Sequence, residues 1–87
     1  MTINVGAVST GLSIYPNPAH SSIAVSLPQM SGTAVIGIYS STGILMQWLV
    51  SGAAVNTIDI SRWAAGMYTV KVMEGNSTIT SSFIKVD

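Results

Sequence analysis

Ile58-Asp59-Ile60-Ser61-Arg62-Trp63-Ala64-Ala65-Gly66-Met67-Tyr68-Thr69-Val70-Lys71-Val72 is the run that decides the fold class. It predicts a short strand, a tight polar corner, a glycine and a second, strongly alternating strand. Ile58 and Ile60 are two residues apart and share one face, which is strand periodicity. Asp59 between them faces outward and is placed to accept bonds from the corner amides. Gly66 lets the chain turn without a Cβ clash. Tyr68, Val70 and Val72 then line one face, and Trp63 plugs the end of the core. No side chain in the run is suited to catalysis.

The same pattern extends in both directions. Downstream, Glu74-Gly75-Asn76-Ser77 predicts a hairpin and Thr78–Val86 a last strand. Upstream, the first strand is Leu12–Tyr15, stopped by Pro16-Asn17-Pro18, where two prolines fix φ and remove two backbone donors. In the second strand Ile23, Val25 and Leu27 alternate with Ser22, Ala24 and Ser26 until Pro28, with a turn at Ser31-Gly32. The third runs from Thr33 to Ser40 and is apolar on both faces, as a central strand is. Ser40-Ser41-Thr42-Gly43 predicts a hairpin loop with Gly43 at positive φ. The fourth strand, Ile44–Val50, has few polar residues, and its Trp48 is expected between the sheets or at an interface. After a loop at Ser51–Ala54 comes the fifth, Asn56–Ile60. Strands and turns every eight to twelve residues, with no helix, predict an all-β fold: a seven-stranded antiparallel immunoglobulin-like β-sandwich.

Composition bounds the function. The chain has 87 residues, 48% apolar and 7% charged, with three acidic and three basic side chains. One core is affordable at this size. Residues 1–10 are expected to be a linker remnant or an added start, residues 11–87 the domain, and the whole a piece of something larger. Arg62, Lys71 and Lys85 are scattered, so nucleic acid and anionic lipid are not expected partners. With no cysteine, disulfides and thiolate metal sites are excluded. The first ten residues lack the basic and apolar regions of a secretory signal peptide. No apolar run approaches the ~20 residues of a membrane span.

Chemistry-bearing residues are few. His20 follows two prolines and reads as a solvated loop histidine, since Asp59, Glu74 and Asp87 are spread too widely for a triad or a ligand cluster. No catalytic residue, metal site or cofactor is expected, and no enzymatic activity. Asn76-Ser77-Thr78 matches a glycosylation sequon but reads more simply as a hairpin turn. Trp48 is the one side chain that offers a sugar-stacking platform, and the five methionines are gap fillers.

Several segments now line up. Ile14-Tyr15-Pro16-Asn17-Pro18 resembles the "YPNP" opening of the C-terminal sorting domains of the type IX (Por) secretion system of Bacteroidetes. Ile23-Ala24-Val25 resembles the next strand of that family. Ile36-Gly37-Ile38-Tyr39 through Thr42-Gly43 is similar to its "v-x-i-Y-D-x-x-G" hairpin. Ile58–Val72 resembles "I-D-L-S-x-L-x-x-G-x-Y-x-V-x-V", and Phe83-Ile84-Lys85-Val86 the terminal "k-F-v-K". The match runs in order over residues 12–87. Three positions depart from it. Ser40 stands where the family has Asp or Asn, which is expected to weaken a cap on the turn. Trp63 stands for leucine and Ile44 for Lys or Arg, and both add apolar area.

The resemblance implies a signal, not an activity. Such domains end a larger cargo protein and direct it through the outer membrane to the cell surface. A sortase-like protease then removes them. The implied partners are the outer-membrane components of the secretion system, that protease and the upstream cargo domain. Pro16, Asn17, Pro18, Gly43, Gly66, Tyr68, Phe83, Lys85 and Val86 are the candidate signature residues. The alternatives are a non-catalytic binding accessory module for carbohydrate or protein, or a structural spacer. Low charge and apolar edges also predict a homodimer through edge strands, paired or swapped.

Overall fold

Alternation of apolar and polar residues turns successive side chains to opposite faces, and each strand buries its apolar set. The computed structural model describes residues 12–27 and 32–87. The expectations for residues 1–10, for Pro28 and for Ser31 lie outside them. The strands are β1 (Ser13–Tyr15), β2 (Ser22–Ser26), β3 (Ala34–Ser40), β4 (Leu45–Ser51), β5 (Val55–Asp59), β6 (Gly66–Glu74) and β7 (Ser77–Lys85). No helix occurs among the described residues.

The strands form a three-stranded sheet in the order β1-β2-β5 and a four-stranded sheet in the order β4-β3-β6-β7, antiparallel throughout. Over the described residues the fold is the expected seven-stranded antiparallel sandwich. Ile23, Val25, Ile58 and Ile60 from the first sheet meet Ile36, Ile38, Val70, Val72 and Phe83 from the second in one core. Burying each such side chain contributes roughly 1.5–3 kcal/mol. With no disulfide available, that core and the two ladders hold the fold.

Strand ends differ from expectation by a residue or so because the ladder sets them. Glu74 pairs with Ser77 across a Gly75-Asn76 turn, so β6 and β7 extend to the hairpin and Asn76 sits at its tip. Asn56 lies two residues before Ile58 and shares its inward face. It is buried, and its Nδ2 donates to the Ala53 carbonyl at 3.1 Å.

Trp48 overturns its expected placement between the sheets: it is 57% exposed. The reason is sheet order. β4 is an outer strand of the larger sheet and contains no fully buried residue. Only Met46 and Leu49 reach across to the core.

Candidate functional site

The two ends of the described chain meet. Pro16 and Pro18 have no amide hydrogen, so the turn cannot extend β1 as a ladder. Asn17 instead accepts through Oδ1 from the Ile84 amide at 3.0 Å. The Ala19 amide donates to the Ile84 carbonyl at 2.8 Å, and the Val86 amide donates to the Ala19 carbonyl at 2.8 Å. Ala19 and Lys85 thus form an isolated parallel bridge, with Ala19 fully buried. The free edge of β7 is closed at this point, which blocks strand addition there.

Lys85 lies opposite Gly66 in the β6–β7 register and is only 4% exposed. Gly66 has φ +154°, where a side chain would be strained. The Lys85 Nζ donates to the Val86 carbonyl at 3.1 Å and stands 3.8 Å from Asp87 Oδ1. Asp87 is open to solvent, so that long ion pair contributes little. Packing of the lysine stem is the larger contribution.

The corner beside this end is built as the sequence suggests. The Ser61 amide donates to Asp59 Oδ1 at 2.9 Å, and the Trp63 amide to the Ile60 carbonyl at 3.0 Å. The Tyr68 hydroxyl donates to the Ala64 carbonyl and pins the corner to β6. Its ring lies 5.5 Å from that of Phe83, nearly parallel, and 5.1 Å from that of Trp63. Trp63 is half-buried and packs against the core, so its ring completes a row of three.

Asp59 carries a pH dependence. Bonds from the Ser61 amide, then from its hydroxyl, hold the carboxyl below its ordinary value. Slight desolvation opposes them and the Arg62 guanidinium assists. A depressed carboxylate stabilises the fold above its unfolded pKa of about 3.9, and that contribution is lost as pH falls through the lower folded value. Melting temperature is therefore expected to drop on acidification below about pH 4. Asp59→Asn should flatten that part of the curve, and an unchanged slope in this variant contradicts the assignment.

Ser40 corrects one expectation. Its Oγ accepts from the Thr42 amide at 3.3 Å and the Ile44 amide at 3.2 Å, and pairs with Thr42 Oγ1 at 2.9 Å. The serine therefore caps the turn without a carboxylate, because its short side chain reaches both amides. Gly43 closes the turn at φ +88°.

The signature candidates collect at one end of the four-stranded sheet. Ser40, which leads into the Gly43 hairpin, pairs with Tyr68; Tyr68 pairs with Phe83 and Gly66 with Lys85; and the proline turn docks on Ile84 and Val86. Tyr68, Phe83 and Lys85 are buried, whereas Pro16, Asn17, Pro18, Gly43 and Gly66 are exposed. Sequence reasoning missed Ala19, which carries no periodic signal but supplies both backbone bonds of the bridge.

The outer face of the same sheet holds an apolar groove of about 380 Å³ lined by Val35, Gly37, Tyr39, Trp48, Val50 and Met73. Gly37 leaves the floor open, and the Tyr39 ring leans over it; a Cβ on Gly37 would lie 3.1 Å from Tyr39 Cε1. A second depression of about 510 Å³ continues from Tyr39 to the hydroxyls of Thr69 and Thr80 and to Lys71. His20 is exposed, and no group of three or more His, Cys, Asp or Glu side chains among the described residues could hold a metal.

Over residues 13–86 the sequence matches the family described as "Secretion system C-terminal sorting domain". The chain belongs to this family. Membership implies a C-terminal sorting signal of type IX secretion, carried by a larger chain that is exported to the surface or beyond. Among solved structures, the sorting domain is similar to part of PorZ, described as an essential bacterial surface component of the type-IX secretion system of Porphyromonas gingivalis. The TM-score is 0.78 at 20% identity, covering 88% of this chain and 12% of that one. At that identity the likeness is one of fold. No curated protein matches the sorting domain.

Proposed function

We propose that the folded sandwich directs an upstream cargo domain through the type IX machinery to the cell surface and is then cut away by a sortase-like protease. The observation that carries this reading is the family match over residues 13–86. The gathering of the signature candidates at one end supports it. In this reading the buried Tyr68, Phe83 and Lys85 hold the end in shape. The outer-membrane components then touch what is exposed there: Pro16, Asn17, Pro18, the Gly43 hairpin and the chain beyond Val86.

Position tests the proposal. A reporter carrying residues 11–87 at its end is expected to leave the cell and to lose the domain. The same domain placed inside the reporter is expected to do neither. Equal export from both positions contradicts a terminal signal and favours a spacer.

The exposed Trp48 favours a second reading, an accessory module for carbohydrate. Its indole and the Tyr39 ring border one apolar groove, with hydroxyls beyond. Oligosaccharide binding that disappears in Trp48→Ala would establish it; a blank glycan array removes it.

A further inference from the structure

The four-stranded sheet has two outer strands, and they are not alike. β7 is closed at its end by Asn17 and Ala19. β4 pairs with β3 on one side only, and no strand among the described residues lies on the other. Every second residue of such a strand turns its N–H and C=O away from the sheet. Proteins blunt an open edge with lysine, proline or an inward-pointing charge. Leu45-Met46-Gln47-Trp48-Leu49-Val50-Ser51 has none of these.

The strand does have one irregularity. Its register shifts opposite Ile38 and Tyr39, which leaves Met46 as an extra residue. The bend there limits straight pairing to Gln47–Ser51. Within that segment Trp48 and Val50 pair with Gly37 and Val35 on the outer face, and they are 57% and 55% exposed. Leu49 turns the other way, toward the core, and is half-buried.

We propose that this edge binds a second copy of the chain, β4 antiparallel to β4, about a two-fold axis at Leu49. That register is self-complementary. With Leu49 opposite its own mate, Trp48 stands opposite the partner's Val50, twice by symmetry, and Gln47 opposite the partner's Ser51. Aromatic against β-branched is a favourable cross-strand pair, and an amide facing a hydroxyl leaves no polar mismatch. Like charges placed opposite are what ordinarily penalise such pairing, and this strand carries no charge. The two four-stranded sheets become one of eight, and each apolar groove continues into its neighbour.

Five paired residues per copy, only Trp48 and Val50 among them both apolar and exposed, cover less than the ~1,200–2,000 Å² of a stable complex. The dimer is therefore weak and concentration-dependent, and forms where copies are crowded. This interface goes beyond the sorting reading and does not depend on it.

Sedimentation equilibrium tests it. The mass is expected to rise from one copy toward two as concentration approaches about 1 mM, the weak end of specific association. Gln47→Lys, at an exposed position, sets a charge on the pairing edge and should weaken the dimer at least tenfold. Adding Ser51→Glu to it should restore association, because each lysine then faces a glutamate. Trp48→Ser should also abolish the dimer, with an unchanged melting curve as the check on folding. A single-copy mass at every concentration overturns the proposal, including where the monomer instead binds an extended peptide or an oligosaccharide at Trp48. So does a dimer that none of these substitutions alters, or a double variant that stays monomeric.

Discussion

Phe83→Ala is expected to destabilise the domain by about 3–5 kcal/mol, the cost of truncating a fully buried aromatic. Phe83 is 1% exposed and sits where three features converge. It belongs to the common core, its ring stacks on that of Tyr68, and its strand carries the bridge to Ala19. The aromatic pair alone adds about 0.5–1.5 kcal/mol beyond burial. Total stability of such a domain is about 5–15 kcal/mol, so one substitution removes a fifth or more. Urea denaturation followed by tryptophan fluorescence gives the value. A loss below about 1 kcal/mol contradicts the packing described, since a surface substitution costs no more than about half of that.

Removing Phe83–Asp87 is expected to abolish export of a fused reporter. The deletion takes away the buried Phe83 and Lys85. It also removes the Ile84 groups that bond Asn17 and Ala19, and the Val86 amide that bonds Ala19. The edge of β7 and the proline turn lose each other at once. Export is read as reporter on intact cells, and folding as protease resistance of the purified domain. Undiminished export by a truncated domain that is still folded contradicts a role for this end in the signal.

Much of this end was legible because strand alternation is local. Ile23 and Val25, Ile58 and Ile60, and Tyr68, Val70 and Val72 are each buried as their spacing predicts. The outward Asp59 and the positive φ of Gly43 follow equally from residue type and neighbours. What was not legible is set by distant partners. Trp48 sits in a strand apolar on both faces, which is also how a central strand reads, and only the sheet order makes β4 an edge. Ala19 is a small residue in a turn, and the bonds that define it come from Ile84 and Val86 at the far end of the sequence. Ser40 looked like a weak substitute for a carboxylate until the hairpin set two amides within reach of its hydroxyl. Asn56 shares the buried face of Ile58 by alternation, but the Ala53 carbonyl that satisfies its amide comes from the loop before the strand.

These long-range contacts also say how the domain works as a unit. The proline turn and the last strand are one structure, so a change in either reaches the other through Asn17 and Ala19. On the function proposed above, a receptor meeting the exposed turn would test, in one contact, whether the final strand is in place.

The direct measurement is surface export of a periplasmic reporter ending in residues 11–87, in a host with an intact type IX system and in the same host without it. The account predicts reporter on the surface or in the medium in the first host and reporter retained in the periplasm in the second. Export no better than that of the reporter alone in the first host, with the fused domain folded, would contradict it.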